Sequence, residues 1–525
     1  MDISSHFQKI PWVRRVHPDK VNTKFAYGYK PLPGGTPDNY FVQLTAADFL
    51  NELSPAAHPI NSRFMSLRPI WKKTGESKDG KDKWEIDGYD ELESVALGWQ
   101  QFIVTNKIAH LTGSGGFSLA NESKEDNDAY DAFKSWLDAI GASDAYTEAV
   151  TYCEHAGDSA ILFTQTPDGD VEWFVYATEK GHTIYPQEDD NGNPIYYISY
   201  MKDGKKMCDI ISNKYIEKWV AADPKEDANK DFFQRLSVKY PKGNLEFSDD
   251  GYVLINRKDA QVGSDLNQLI YFWIPDVSWG PAELSIEAEE NAASYVANEV
   301  KDTAFPLLVV KAEKVTSLPP SKVNGKTIAI KGTADTLAHS DAKYETPGDA
   351  SNIATVHLKE LEDNIIRATQ TAIITPDIMK QGADSSTAIK ILFRPEIQWA
   401  QQRWIFYNKP VRHMVKVLKR LCGKAEGLID RYNDLKTSVW QEVWIPQNEK
   451  EQVDIVTAKV YARILSRKNA FNELGSQYKG DYEQTNREWE EELAMKQKYS
   501  AKVEDDNPDA PDIDNNDDGK TIAER

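Results

Sequence analysis

The hydrophobic periodicity changes twice along the chain, and the order of these changes limits the folds that are open to it. From about residue 89 to residue 157 the apolar residues recur at helical spacing. Between about 160 and 275 they alternate with polar residues, and turn sequences such as "PDGD", "NGNP" and "KDGK" separate the alternating stretches. Helical spacing returns from residue 281. Because a period of two is typical of strands joined by tight turns, the sequence predicts an α+β fold with an antiparallel sheet between helical parts.

The first part of the chain predicts one hairpin and three helices. Residues 70–86, "IWKKTGESKDGKDKWEI", place apolar ends around a polar tip and indicate the hairpin. The pattern from residue 89 onward predicts a helix that ends in the glycines of "GSGGF" at 113–117. Two more helices are predicted over 128–142 and over 144–157, each ended by a glycine.

After the sheet region the pattern predicts two helices that enclose short strands. The first helix covers 280–305, and two β segments follow at 306–313 and 326–333. Ser351 is a candidate N-cap for the second helix, which must end before Pro376.

A polar loop then leads to a third long helix. Ser385–Ser386 can begin this helix, which runs towards Gly423. Pro395 and Pro410 lie inside it and are expected to kink or interrupt it. Two shorter helical patterns complete the part of the chain that has an apolar period.

The charge of the chain excludes one class of nucleic-acid-binding protein. Lys and Arg number 62 and Asp and Glu number 83, so the formal net charge is −21. A protein that grips a duplex over a broad surface gains affinity by neutralising phosphates and is therefore basic. Part of the acid is local, because residues 503–525 are acidic, contain Pro and Asn and have no apolar period. We expect this tail to be disordered.

The cysteines and the apolar runs indicate the compartment. Cys153, Cys208 and Cys422 are far apart and odd in number, which favours neither a disulfide framework nor a CxxC metal site. The N-terminus lacks the apolar core of a signal peptide, and no stretch has the length of a membrane span. The sequence predicts a protein that is made and used in a cytosol-like compartment.

Two segments come close to nucleotide or anion motifs. Gly75 to Asp82, "GESKDGKD", nearly matches the phosphate-binding loop, but Asp82 replaces the Ser or Thr that binds magnesium and the segment lies at a hairpin tip. We interpret it as a solvated turn. The "GSGGF" segment has the composition of an anion nest, and a flexible link between two helices is the favoured interpretation.

The remaining candidates for chemistry are weaker. "CEH" at Cys153–His155 brings a thiol close to a base in sequence, but residues two apart on a helix point away from each other. We therefore expect a buried cysteine and an ordinary histidine. "DNNDDG" at 514–519 resembles half of a calcium loop without its final acid. The nine histidines are scattered, so the sequence predicts no catalytic site, no metal and no cofactor.

Basic and aromatic residues in the second half are candidates for contact with nucleic acid. Lys359, Arg367 and Lys380 lie on or just beyond a predicted helix, where they can touch phosphates or remain on a solvated face. The Trp- and Tyr-rich stretch 395–410 can stack on bases. Its helical spacing favours packing instead.

An ordered series of segments carries a resemblance to a known family. "IVTNKIAHLTGSGGFSL" is a helix that ends in a glycine turn, and "WGPAELSIEAEENAASYVANEV" is a long helix after the sheet region. "SSTAIKILFRPEIQWA" opens a helix after a loop, and "VWIPQNEKEQVDIVTAKVYARILS" ends in Ile464, Leu465 and Ser466. From about 90 to 500 the series resembles the portal protein family of tailed double-stranded DNA bacteriophages.

The resemblance implies a subunit with a wing, a two-helix stem, a small β-containing clip, a long kinked helix and a helical crown. The implied segments are the wing at 1–279, stem helix 1 at 280–305, the clip at 306–350, stem helix 2 at 351–373, the tunnel loop at 374–386, the long kinked helix with its return to the wing at 387–455, the crown at 456–502 and the disordered acidic tail at 503–525.

The resemblance also implies partners and site residues. The subunits would form a ring, usually a dodecamer, through which double-stranded DNA passes at one capsid vertex. The ring would contact the large terminase, the major capsid protein and scaffold, and the head-tail adaptor proteins, with no membrane. The tunnel loop would project into the channel with Met379, Lys380, Gln381 and Gly382 near its tip. Lys359 and Arg367 of the stem would lie near the DNA.

Three other classes of protein are less consistent with the sequence. A different ring-forming virion adaptor or structural protein would lack the helix–β–helix–loop–helix order of 281–422. A nucleotide-dependent motor or another enzyme would need a phosphate site that Gly75–Asp82 does not supply. A carbohydrate-binding module would use the 14 Trp residues but not the long helices.

Overall fold

The computed structural model has helices and antiparallel strands in the mixed order that the sequence predicts, and its fold class is α+β. The chain divides into two compact units: 1–373 with 393–445, and 374–392 with 446–525. The structure describes residues 12–16, 30–31, 40–62, 67–76, 82–91, 93–113, 116–122, 126–188, 192–221, 252–303, 307–311, 314–317, 329–331, 341–345, 351–373, 390–441, 443, 449–464, 470, 474, 486–487, 489–491 and 494–495.

A small sheet and a helix form the N-terminal part. Strands β1 (Trp12–Val16), β2 (Lys30–Pro31) and β3 (Tyr40–Leu44) form an antiparallel sheet in the order β1-β3-β2. Helix α1 (Ala46–Leu53) follows. Its first turn is closed by a capping box, in which a threonine and an aspartate satisfy each other's backbone N–H groups.

The predicted hairpin is confirmed, but the helix after it begins later than the sequence predicts. Strand β4 (Leu67–Glu76) pairs antiparallel with β5 (Asp82–Glu91). Residues 93–98 form no helix, and helix α2 (Trp99–Thr112) starts about ten residues after the predicted start at 89. The reason is that backbone N–H groups of 93–98 bond to side chains of another helix, which replace the partners that a helical turn would supply.

The sequence predicted that the "GSGGF" segment links two helices, but in the structure it leads from a helix into a strand. Strand β6 (Phe117–Asn121) follows its glycines. Gly116 has a φ of +82°, and a Cβ at this position would lie 2.2 Å from the ring of Tyr146. Gly116 therefore cannot carry a side chain, because its backbone is left-handed and the Tyr146 ring occupies the space that a Cβ would need.

Two predicted helices are confirmed together with the glycines that end them. Helix α3 (Asn127–Ala139) is followed by Gly141 with a φ of +66°, and helix α4 (Ala142–Ala156) is followed by Gly157 with a φ of +89°. A Cβ on Gly157 would lie 2.4 Å from the indole ring of Trp12. The end of α4 thus depends both on the left-handed conformation and on room for Trp12.

The alternating region is antiparallel β structure, as predicted, and the structure divides it into two sheets. The first sheet has three strands in the order β14-β7-β8, and the second has five in the order β13-β12-β11-β10-β9. The strands are β7 (Asp158–Gln165), β8 (Val171–Ala177), β9 (Thr183–Glu188), β10 (Pro194–Lys202), β11 (Lys205–Ile211), β12 (Tyr215–Ala221), β13 (Tyr252–Asp259) and β14 (Leu269–Trp273).

Helix α5 (Glu283–Thr303) and helix α6 (Ser351–Thr369) pack against each other and enclose four short strands. The two predicted β segments are confirmed, and each pairs with a strand that the sequence did not predict. The strands are β15 (Leu307–Lys311), β16 (Lys314–Ser317), β17 (Ala329–Lys331) and β18 (Asp341–Glu345), paired as β15 with β18 and β16 with β17.

The helix predicted from Ser385–Ser386 is interrupted near Pro395 but not at Pro410. A turn at Phe393 separates the helical residues 390–392 from a long helix that starts at Arg394 and passes Pro410 without a break. Helix α7 (Arg394–Glu426) has Pro395 in its first turn, where a backbone N–H has no partner within the helix. Pro410 lies inside α7 and removes one intrahelical hydrogen bond. Tyr407 and Val411, on either side of it, are fully buried, so that core packing offsets this loss.

The chain returns to an early strand after α7. Helix α8 (Ile429–Asp434) leads to strand β19 (Thr437–Gln441), which pairs with β6 across more than 300 residues of sequence. In the second unit the described residues include helix α9 (Glu449–Tyr461). The largest core cluster lies in the first unit and includes side chains from α3, α4, α7, β7 and β14.

Candidate functional site at the ends of two long helices

The structure places some of the predicted site residues and not others. Met379, Lys380, Gln381 and Gly382 lie outside the described residues, as do the loop 374–386 and the tail 503–525. Lys359 and Arg367 are exposed on α6, and eight residues of helix separate them by about 12 Å along its axis. The structure therefore shows the last turn before the loop and the helix after it.

A buried lysine joins these two chain segments. Lys107 of α2 is fully buried, and its Nζ donates to the carbonyl of Gln370 at 2.8 Å and to Oε2 of Glu396 at 2.5 Å. The other carboxylate oxygen of Glu396 accepts from the backbone N–H of Ala372 at 2.8 Å. Glu396 is in the first turn of α7, whereas Gln370 and Ala372 follow α6. Lys107 and Glu396 thus hold both sides of the loop against the same helix.

A second ion pair lies beside the first. Glu154 of α4 accepts two hydrogen bonds of 2.7 Å from the guanidinium of Arg403, and the hydroxyl of Tyr407 donates to the same carboxylate. Trp399 lies next to both cations, with its ring centroid 4.8 Å from Lys107 Nζ and 5.5 Å from Arg403 Cζ. Two cations and two anions from three helices therefore form one charge-balanced cluster. We call Lys107, Glu154, Glu396 and Arg403 the junction cluster.

Burial acts on the pKa values of Lys107, Arg403 and the neighbouring Tyr407. Burial lowers the pKa of Lys107, against the opposing effect of Glu396. Burial also acts against the charged form of Arg403, but the Glu154 carboxylate dominates and raises the pKa of this guanidinium. Burial raises the pKa of Tyr407 as well, so this hydroxyl remains a donor to Glu154. Removing one member of such a pair leaves an unpaired buried charge, which costs about 3–5 kcal/mol.

A polar strap fastens helix α5 to the segment before α2. Asn298 Oδ1 accepts from the N–H of Glu93 at 2.9 Å, Ser294 Oγ from that of Val95 at 2.9 Å, and Glu290 Oε1 from that of Leu97 at 3.2 Å. The three side chains are four residues apart on the helix, about 6 Å per step, and the three N–H groups belong to alternate residues of a segment that is neither helix nor strand. Three successive turns of the helix therefore each bind one N–H group of this segment.

The helix that carries the polar strap also presents acid and apolar side chains. Six of its 21 residues are acidic and one is basic. Leu284, Tyr295 and Val300 of α5 and Val356 of α6 are exposed large hydrophobic residues. In a subunit of a closed assembly, such residues can be covered by neighbouring subunits.

The candidates for catalysis are explained by packing in the described part of the chain. Cys153 is buried as expected and its thiol pKa is raised mainly by burial, whereas His155 contacts Glu179 at 2.6 Å. Trp399 and Trp404 pack against the largest core and Tyr407 lies within it, which confirms the packing interpretation of 395–410. Among the described residues no group of His, Cys, Asp or Glu is arranged to hold a metal ion.

The junction cluster was not predicted, although the sequence contains a signal for it. Lys107 lies four residues from Ile103 and from Leu111, both fully buried, and Glu154 lies four residues after the buried Val150. A charged residue in phase with the apolar face of a helix must find a partner in the core. Lys107 and Glu154 are two such residues of opposite charge, and Glu396 and Arg403 on one later helix are available partners for them. This pattern could have predicted a buried charge cluster.

Comparison with known proteins gives the class of this protein. Residues 79–499 match the family described as "Phage portal protein, SPP1 Gp6-like". The match covers most of the chain, and it identifies a phage portal protein, a structural head-tail connector of the virion that forms a ring-like oligomer. The chain belongs to the SPP1 Gp6-like family of these proteins.

No curated protein matches the chain at a significant level. A solved structure described as "Neck of empty GTA particle computed with C6 symmetry" is similar to the chain with a TM-score of 0.34 and 10% identity, over 73% of this chain and 95% of that chain. A TM-score of this size does not establish a common fold. None of the helices in the described ranges is long and apolar enough to cross a membrane.

Proposed function

We propose that the chain is one subunit of a dodecameric ring that forms the DNA channel at the portal vertex of a phage capsid. The ring docks the large terminase while the genome is packaged and the neck and tail proteins afterwards. The observation that carries the proposal is the match of residues 79–499 to the phage portal family. The contact of Lys107 with both Gln370 and Glu396 adds a structural base for the loop. A loop that meets moving DNA needs a rigid base, and this contact fixes the chain on both sides of 374–386.

The proposed assignment of segments to the parts of a portal subunit follows the order of the helices and strands. Residues 1–279 form the wing, α5 and α6 form the stem, and the strands β15 to β18 belong to the clip. The crown comprises 456–502, and 503–525 is an acidic tail. The packing of α5 against α6 supports the stem, and the separate compact unit that contains residues from 446 onward supports the crown.

The charge of the chain suits a channel through which DNA slides. An acidic wall repels phosphate and prevents tight binding, whereas a few basic side chains make brief contacts. Lys380 in the loop, with Met379, Gln381 and Gly382 beside it, is the proposed point of contact at the constriction. Lys359 and Arg367 are exposed on α6 and are proposed to lie near the DNA.

The proposed partners follow from the position of the ring. The large terminase and later the adaptor proteins would bind at the clip, and the major capsid protein and scaffold at the wing. The segment Gly75–Asp82 connects the two strands of a hairpin and has an aspartate where a phosphate loop needs Ser or Thr, so it does not form a nucleotide site. The energy for packaging would therefore come from the terminase. The portal subunit itself has a structural and not an enzymatic role in this proposal.

The first experiment is to determine the oligomeric state of the purified chain. Mass photometry and negative-stain electron microscopy are expected to show rings with a central hole and a mass near twelve times 59.4 kDa. A stable dimer, or a compact particle without a hole, would contradict the proposed channel.

A further inference from the structure

A groove on the first unit has no assigned role. It has a volume of about 980 Å³ and lies between helix α7 and the sheet region. Its walls include Pro186 and Pro194 from β9 and β10, Tyr196, and Trp273 of β14. The residues that line it belong to one compact unit. Eight of the thirteen are proline, isoleucine or aromatic residues, and Gln187, Glu188, Lys409 and His413 add polar groups. A groove of this size and composition is suited to a peptide segment with apolar side chains.

Two apolar side chains of α7 lie at the groove and are open to solvent. Ile405 is 72% exposed and Phe406 is 36% exposed, and both line the groove. Single exposed hydrophobic residues are common, but two neighbours beside an aromatic groove form a continuous apolar surface. Covering these side chains removes apolar area from water and favours association.

A basic row continues from this apolar surface along the same helix. Lys409, Arg412 and Lys416 are exposed at spacings of three and four residues, which places them on one face of α7. Within the described ranges none of the three forms an ion pair. Helix α7 has eight basic and two acidic residues, whereas the whole chain has a net charge of −21. The row is therefore a local concentration of positive charge on an acidic protein.

We propose that the groove and the basic row bind an acidic, apolar surface of a second copy of this chain, and that this contact joins neighbouring subunits of the ring. Each copy has a net charge of −21, so two copies repel each other unless positive groups face the neighbour. Lys409, Arg412 and Lys416 supply such groups beside the exposed Ile405. The inference rests on the proposed ring, and it names the surface by which the ring closes.

The same surface is less suited to DNA than to protein. Phosphates would pair with the basic row, but a duplex could not enter a groove walled by Tyr196 and Trp273 or cover Ile405 with apolar atoms. A peptide surface with carboxylates around apolar side chains satisfies both parts of the site. A contact of this kind is heterologous, because the groove of one subunit meets a different face of the next, and such contacts generate rings.

The first test places a photo-crosslinking amino acid, benzoylphenylalanine, at position 405 of the full chain. Irradiation of assembled particles, followed by mass spectrometry, is expected to give a product between two chains. The same amino acid at Met201, which is exposed on β10, is the matched control and should give much less of this product. A product within one chain, a product with added duplex DNA, or no product between chains would overturn the proposal.

The second test uses variants that keep the complementary face intact. Ile405→Asp, and the triple variant Lys409→Glu/Arg412→Glu/Lys416→Glu, should shift the protein from rings to monomers at the same concentration. The control triple variant Lys134→Glu/Lys202→Glu/Lys424→Glu changes the net charge equally at exposed positions and should still form rings. Circular dichroism of each variant verifies that it is folded.

Mixing separates this proposal from the proposed function. A subunit with a defective groove still has the face that binds the groove of a neighbour. It should therefore bind to a growing assembly of wild-type subunits and prevent the next subunit from binding. A substoichiometric amount of the Ile405→Asp variant is then expected to reduce ring yield more than in proportion to its share. If wild-type rings form and the Ile405→Asp and charge-reversed variants form them equally well, the groove assignment fails while the ring remains. If the wild type forms no ring, the proposed function fails first.

Discussion

The ammonium group of Lys107 lies 2.5 Å from the carboxylate of Glu396, and both side chains are buried. The two residues are 289 positions apart in the sequence, and they lie on different helices. The same carboxylate binds the N–H of Ala372, and the same ammonium binds the carbonyl of Gln370. One ion pair therefore positions the end of the segment after α6 and the start of α7.

The junction cluster should contribute strongly to stability. Lys107→Met leaves Glu396 as a buried carboxylate without its cation and is expected to lower the free energy of unfolding by about 3–5 kcal/mol. Lys134→Met, at an exposed position of α3, is the control and should change the free energy by less than about 0.5 kcal/mol. Urea denaturation followed by circular dichroism measures both.

A double variant tests whether unpaired charge is the cause. Lys107→Met/Glu396→Gln removes both charges, and the glutamine oxygen can still accept from the N–H of Ala372. We expect it to recover part of the stability lost in Lys107→Met. The single variants Lys107→Met and Glu396→Gln each lose some free energy of unfolding. If the loss in the double variant equals the sum of these two losses, the two residues do not act as a pair.

The polar strap should control local opening of the segment before α2. Ser294→Ala removes the acceptor of the Val95 N–H and is expected to reduce local stability by about 1 kcal/mol, which corresponds to about fivefold faster exchange of that amide. Hydrogen exchange with mass spectrometry measures a peptide that contains 93–98. Leu284→Ala, on an exposed position of the same helix, should leave this exchange unchanged. Equal exchange in the two variants would show that the strap does not hold the segment.

The loop between α6 and α7 should be needed for packaging and not for assembly. Deletion of 376–384 leaves Lys107, Gln370 and Glu396 in place, so ring formation is expected to be unchanged. DNA packaging, measured as protection of the genome from nuclease in filled capsids, is expected to fall to background. A deletion variant that packages DNA normally would contradict the assignment of a tunnel loop to 374–386.

The stability of the chain should decrease in mild acid because of a histidine at the groove. Burial lowers the pKa of His413, and Lys416 and Lys409 act in the same direction, while its Nε2 lies 2.8 Å from the carbonyl of Asn267. The unfolded chain then binds more protons than the folded chain once the pH falls below about 6.5. The free energy of unfolding should therefore decrease from about pH 6.5 towards the lowered pKa.

A substitution isolates the effect of this histidine. His413→Gln keeps a donor for the Asn267 carbonyl without a titrating group, so its melting temperature should depend less on pH over this range. His182 retains part of the slope, because burial also lowers its pKa. Identical pH profiles for the wild type and His413→Gln would exclude the assignment.

The sequence alone determined the local structure wherever a residue acts through its own backbone or its neighbours. Gly141 and Gly157 end α3 and α4 where predicted, since only glycine adopts a left-handed conformation without cost. The turns and the alternation between 160 and 275 likewise predicted strands that the structure has. The ordered series of segments was enough to indicate the portal family, because it depends on order and not on contacts.

Only the tertiary structure decided the features that depend on distant partners. The residues before Trp99 have helical spacing, yet they form no helix because Glu290, Ser294 and Asn298 bind their N–H groups. Helix α7 passes Pro410 because the packing of its neighbours outweighs one lost hydrogen bond. The pairing of Lys107 with Glu396 has the same origin: a buried charge requires an opposite charge, but the chain must fold before the two can meet.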